Sequence, residues 1–180
     1  MIATATMTGE QFDALPYEEG RRWELLAGGL IEVSSPTPKH QMIVTRLLMS
    51  LVVYFDLQKN GGAFPDVEFA PGDDIRLRPD VAVMLDDKWR NTDLEKAPVP
   101  IAPDIAVEII SPTERTTDST RKVRTYLSHG VQEVWQVFPA DSIILLYTRA
   151  SFVNLTVNDT LHSTLLPGWS MLVSEAFRVR

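Results

Sequence analysis

The stretch Asp104-Ile105-Ala106-Val107-Glu108-Ile109-Ile110 constrains the fold more than any other part of the chain. Its nearly continuous apolar character is that of a β-strand covered on both faces. Period-two alternation places Ala106, Glu108 and Ile110 on one face, so a carboxylate stands in an otherwise hydrophobic row. An unpaired carboxylate buried there costs roughly several kcal/mol, so something must compensate it. An ion pair with a nearby arginine, or an edge position facing water, is the alternative to a functional role.

A second stretch, Arg78-Pro79-Asp80-Val81-Ala82-Val83-Met84-Leu85, reads as another buried strand with an acid at its mouth. Pro-Asp is common in turns, which is the plain reading of Asp80. The two stretches gain meaning together. Asp80 opens its strand and Glu108 lies near the end of its own. Antiparallel pairing therefore makes the two carboxylates converge, whereas parallel pairing sets them at opposite ends. Converging carboxylates repel and raise one pKa unless a divalent cation lies between them. Hard oxygen ligands of this kind suit Mg²⁺ or Mn²⁺.

Lys122 is the third element. It falls in the first half of a helix that begins soon after Glu108, adjoins Val123 and shares a face with Tyr126. For that lysine alone, a surface pair with Asp118 at i,i+4, worth about 0.3–0.5 kcal/mol, is the simpler account. Beside a metal–carboxylate site, a cation at the border of the buried stripe is suited to stabilise phosphate charge.

The remaining pattern builds an α/β (α+β) domain. Residues 8–15 read as a short helix, with Thr8 and Gln11 at capping-box spacing and Pro16 at its end. Runs 22–26 and 30–34 around Ala27-Gly28-Gly29 read as a β-hairpin. Ser35-Pro36-Thr37-Pro38 opens a long helix whose apolar residues Val44, Leu47, Leu48, Leu51, Val52 and Phe55 recur at helical spacing, and Asn60-Gly61-Gly62 closes it. Residues 66–70, 75–77, 81–85 and 104–110 read as strands. The polar, proline-containing stretch 86–103 is long for a loop, which marks it as functional or as holding short structure. A second helix runs from about 118 to 128 and ends at His129-Gly130, followed by strands 131–138 and 142–147. The last thirty residues suggest a strand pair and a short helix. The result is a mixed sheet, antiparallel meanders with one helix crossover, flanked by helices.

Composition narrows the function. The chain has 180 residues, 44% hydrophobic and 23% charged, enough for one folded domain over 1–180. With no cysteine, a disulfide framework, a thiolate zinc site and a cysteine nucleophile are excluded. A net charge of -7 argues against general coating of nucleic acid, while leaving room for a local basic rim. The N-terminal residues MIATATMTGE lack a signal-peptide pattern and no apolar stretch suits a membrane span, so a soluble cytoplasmic protein is expected. No Walker A, G-x-G-x-x-G or G-x-S-x-G motif occurs.

An ordered set of motifs carries a resemblance. It comprises Trp23-Glu24-Leu25-Leu26-Ala27-Gly28-Gly29-Leu30, Ser35-Pro36-Thr37-Pro38-Lys39-His40, Pro79-Asp80-Val81-Ala82-Val83, Pro103 to Pro112, Asp118 with Lys122, and Gly130-Val131-Gln132-Glu133-Val134-Trp135-Gln136-Val137. Together they resemble the Uma-two family of putative restriction endonucleases, within the PD-(D/E)XK nuclease superfamily, over residues 8–147. The resemblance implies a restriction-endonuclease-like core and Mg²⁺- or Mn²⁺-dependent cleavage of DNA phosphodiesters. Asp80 and Glu108 then match the acidic metal ligands, the Ile109 carbonyl a further ligand, and Glu24 an additional acid reaching the metal directly or through water. The superfamily lysine, two residues after the acid, is here Ile110, and Lys122 matches a lysine moved to the following helix. The resemblance also implies a homodimer.

His40, in the first turn of the long helix, belongs to the same pattern, suited to a phosphate contact or proton transfer; a plain helix-start residue is the alternative. His129 reads as a helix C-terminal residue, and the three histidines lack zinc spacing. Arg76, Arg78, Lys88, Arg90, Arg115, Arg121 and Arg124 surround the acidic residues in sequence and suggest a phosphate-contacting rim. Trp89 suits either base stacking or packing. Two rival readings stand beside a nuclease: a catalytically inactive nuclease-fold binding or assembly protein, and a hydrolase using two carboxylates on a sugar or other small substrate.

Overall fold

A computed structural model describes residues 6–112, 114 and 116–178; Arg115 of the expected rim and the first residues of the N-terminal stretch lie outside them. The chain opens with α1 (Gly9–Asp13), whose Thr8 and Gln11 form the expected capping box. The hairpin β1 (Arg22–Leu26) and β2 (Gly29–Val33) turns at Ala27-Gly28, with Leu26 opposite Gly29. Both turn residues have positive φ, 49° and 72°, which fits a tight hairpin connection.

Helix α2 (Pro38–Gln58) starts as its sequence dictates, with Thr37 capping and Pro38 in the first turn. It does not end on glycine. Lys59 takes the left-handed cap at φ 58°, and Gly61-Gly62 open strand β3 (Gly61–Pro65). The reason is space: a Cβ on Gly61 would lie 2.6 Å from the Met84 carbonyl and 2.7 Å from the Phe55 ring. The chain doubles back beneath its own helix there, which only glycine permits.

Residues 66–70 and 75–77, expected as strands, form only isolated bridges, Phe69 to Leu77 and Val99, and Leu25 to Arg76. Strand β4 (Val81–Leu85) follows, then α3 (Asp86–Asn91), the short structure within the long polar stretch. Strand β5 (Ile105–Ile109) is buried at every residue, as a strand covered on both faces must be. Helix α4 (Thr116–Ser128) crosses over to β6 (Glu133–Phe138), and β7 (Ile143–Tyr147) and β8 (Phe152–Leu155) extend the sheet. Strands β9 (Thr160–His162) and β10 (Ser170–Leu172) pair, and α5 (Val173–Phe177) ends the described chain.

The central sheet has six strands in the order β3-β4-β5-β6-β7-β8. β5 and β6, the strands α4 joins, pair parallel, and every other neighbour is antiparallel. One sheet face buries Val81, Val83, Ile105, Val107, Ile109, Trp135 and Val137 beneath α2 and the C-terminal segment, where Trp135 stacks on Trp169 at 5.3 Å. The other face carries Ala106 and Val134 beneath Val123 and Tyr126 of α4 and Leu26 of the hairpin. Glu108 belongs to this second face. Its neighbours are therefore α4 and β1, and that placement decides the chemistry of the site.

Candidate active site

Antiparallel register brings the two acids together. Val81 pairs with Val107 and Ala82 with Ala106, so Asp80 and Glu108, one step further along each strand, fall opposite one another. The Ile109 N–H donates to Asp80 Oδ2 at 2.7 Å, fixing that carboxylate across the strand end. On its other side, Asp80 Oδ1 lies 3.3 Å from His40 Nε2. Thr37 sets that imidazole in place, because its hydroxyl accepts from the His40 N–H at 3.2 Å and fixes the first turn of α2.

Glu108 has two partners on α4, one turn apart. Tyr126 donates its hydroxyl to Oε1 at 2.6 Å, and Lys122 Nζ lies 3.2 Å from Oε2. Lys122 also reaches Glu24 Oε2 at 2.8 Å, and Glu24 Oε1 accepts from the Arg78 N–H at 3.2 Å. Glu24, Glu108 and Lys122 are all buried. Lys122 turns inward to two carboxylates and not to Asp118, the simpler account of that lysine alone.

Electrostatics follow from burial. Removal from water raises the Glu108 carboxyl to about 8; Lys122 and the Tyr126 hydroxyl oppose that rise, and Glu24 and Asp80 add to it. Burial works to lower the Lys122 ammonium, but Glu108 and Glu24 outweigh it and hold the group above the ordinary lysine range. Burial, followed by the Glu108 charge, raises the Tyr126 phenol well above its usual value.

These residues line an open cleft of about 230 Å³, whose wall includes Glu24, His40, Asp80, Glu108, Ile109 and Lys122. All the site residues expected from sequence are thus brought to one place. The cleft adds Glu114, whose carboxyl is raised by burial and whose Oε1 is buried without a hydrogen-bond partner among the described residues. Glu114 stands outside any strand or helix pattern, so no periodicity singled it out.

The basic rim differs from expectation. Arg76 is spent on Asp13 through two bonds of 2.9 and 2.8 Å, Lys88 pairs with Asp104 at 2.9 Å, and Arg90 with Asp87 at 3.0 Å. Arg121 donates to the Leu26 carbonyl at 2.7 Å, and Arg124 is exposed away from the cleft wall. Nearness in sequence did not mean a shared face. Of that set, Arg78 alone among the described residues lines the cleft, and Arg22 and Lys39, from β1 and the start of α2, join it. Trp89 packs at 5.4 Å against Phe64.

Glu24, Asp80 and Glu108 are donors of the type that a hard divalent cation selects. With Glu108 ionised, Glu24, Asp80 and Glu108 set three negative charges against one ammonium, a remainder that a dication would balance. Carboxylate oxygens are also the ligands that Mg²⁺ and Mn²⁺ select. Among the described residues no group of three His, Asp or Glu side chains is placed to hold a metal ion. The Lys122 ammonium stands between Glu24 and Glu108.

A solved structure of a putative nuclease belonging to DUF820, from Anabaena variabilis, shares the fold with a TM-score of 0.81. The two are 22% identical, over 95% of this chain and 97% of that one. No curated protein matches. A sequence model described as Uma2, putative restriction endonuclease, matches residues 10–174. With nearly its whole length covered, the chain belongs to the Uma2 family of putative restriction endonucleases.

Proposed function

We propose that this protein is a Mg²⁺- or Mn²⁺-dependent endonuclease that hydrolyses DNA phosphodiester bonds. The observation that carries the reading is the convergence of Asp80 and Glu108 across the β4–β5 strand ends, with Lys122 against Glu108 at the wall of an open cleft. Asp80 and Glu108, with the Ile109 carbonyl and Glu24, would hold the cation. Bound there, it would supply an acidified water and charge neutralisation at the phosphate.

The chain's own groups do the rest. Lys122 orients the attacking water and offsets charge growing on the phosphate oxygens. His40 holds Asp80 in its rotamer and presents a ring that can take or give a proton. Arg22, Lys39 and Arg78 on the cleft wall suit the flanking phosphates once they exchange Asp66, the Pro139 carbonyl and Glu68 for them.

Purified protein with Mn²⁺ or Mg²⁺ is expected to nick supercoiled plasmid, and Asp80→Ala and Glu108→Ala to abolish nicking. Equal nicking by wild type and both variants would mark a contaminant and end the proposal. One observation favours a second reading, an inactive binding protein of the same fold: the Lys122 ammonium already bridges Glu24 and Glu108. That reading predicts no heat of binding in titrations with either ion.

A further inference from the structure

Both arginines of the cleft wall are already occupied, each by an acid from one short segment. Arg22 pairs with Asp66, and Arg78 Nε lies 3.0 Å from Glu68 Oε2. Residues 66–68 directly follow β3, and the bridge of Phe69 to Leu77 fastens them beside Arg78. Asp66 sits at φ 54°, a left-handed position that aspartate tolerates. The pairing at Arg22 is incomplete. Asp66 takes Nη2 alone, and Nε is buried without a hydrogen-bond partner among the described residues. A planar guanidinium offers Nε and Nη2 side by side to two oxygens of one phosphate. Asp66, which brings one oxygen, is the poorer occupant. Lys39, the third cation of the wall, donates to the neutral Pro139 carbonyl at 2.9 Å, a partner with no opposing charge.

We infer that Asp66 and Glu68 are specificity-determining residues, resident anions on Arg22 and Arg78 that a phosphodiester strand displaces only when it is seated along the whole cleft. This assignment rests on the nuclease reading. Lys39 makes the first contact, because its charge is not answered. A strand that brushes the wall offers one phosphate and meets an acid at each guanidinium. A strand lying over Asp80 and Glu108 holds its neighbouring phosphates against both arginines at once, and that high local concentration drives the exchange. The two pairs differ in grip. The Arg22 and Asp66 side chains are 40% and 53% exposed, so water screens them and exchange is easy. Glu68 is 15% exposed and holds Arg78 harder.

The test uses the full chain in chelator, so that no strand is cut, and reads the anisotropy of a short labelled duplex. Asp66→Asn and Glu68→Gln keep shape and remove charge. Each is expected to tighten binding about two- to five-fold, Glu68→Gln the more. Each should also steepen the loss of affinity between about 50 and about 200 mM salt, because a displaced wild-type acid gathers back a counterion that the phosphate releases. Asp87→Asn is the control. It breaks a similar pair, with Arg90 at 3.0 Å, away from the cleft wall, and changes net charge equally. Affinity and salt dependence should not move. Adding Arg22→Ala to Asp66→Asn should cancel the gain, which a general loss of negative charge cannot do. Asp66→Asn, at the more exposed site, carries the test should Glu68→Gln fail to fold. No gain in Asp66→Asn, an equal gain in Asp87→Asn, a gain that survives Arg22→Ala, or no duplex bound by any variant overturns the inference. None of these touches the nuclease reading, which plasmid nicking decides separately.

Discussion

Glu108 is compensated for its burial by a phenol and an ammonium, one turn apart on α4. Removing one leaves the others exposed to cost. Lys122→Met strips the cation from two buried carboxylates and is expected to lower stability by about 3–5 kcal/mol in chelator, measured by urea unfolding; a loss under about 1 kcal/mol contradicts the buried triad. The pH dependence has a definite sign. The folded protein holds a proton on Glu108 up to about 8, against 4.5 for the ordinary group. Its contribution to stability is therefore complete below 4.5 and is lost as pH rises through about 8. Metal-free protein should unfold at lower urea at pH 9 than at pH 6, and Glu108→Gln should flatten that difference. Divalent ions must displace the same proton, so their affinity is expected to rise over that interval, read by calorimetry. At this scale the sequence was most legible where a residue contradicted its surroundings. Glu108 announced itself by sitting in an apolar row; Tyr126, seen only as part of an inner stripe, did not reveal that its hydroxyl serves Glu108.

Elements were legible where their ends carry chemistry of their own. Thr37-Pro38 marks the start of α2 and Thr8 with Gln11 that of α1, because capping is local. Thr37→Ala should cost about 1 kcal/mol by thermal unfolding. It should also lower nicking at constant protein, because the same hydroxyl orients the backbone of His40. The other end of α2 departs from its sequence pattern because Gly61 answers to a distant contact with Met84 and Phe55, not to the helix before it. Gly61→Ala is accordingly expected to destabilise by more than an ordinary strand substitution, whereas Lys59→Gly, at a left-handed position, should be neutral or stabilising by up to about 1 kcal/mol; comparing their denaturation midpoints checks both. The bridges at 66–77 fall short of strands because that segment meets β1 and Val99 at single points instead of running along a neighbour.

For the whole molecule, the antiparallel β4–β5 pair was the decisive unknown, since strand direction depends on the path of the intervening chain. Its outcome was readable only as a condition: converge if antiparallel. The rim was not readable, because which arginine faces the cleft depends on the final packing of every layer. Among the described residues no helix is long and apolar enough to cross a membrane. With a net charge of -7 and an acidic cleft, metal-free protein should hold DNA poorly. Asp80→Asn should therefore bind a labelled duplex more tightly than wild type in chelator, by several-fold in fluorescence anisotropy, while failing to cut it. The pairing of β4 with β5 has one more result. The strand pairing itself sets the separation of the two acids, and residues 93–97 between the paired strands lie at the surface outside that pairing. Material could be spliced in there at little cost to the chemistry, whereas deleting a single residue from either strand would rotate one acid onto the wrong side of the sheet. Such a layout leaves that surface stretch free to vary in length while the two acids keep their places.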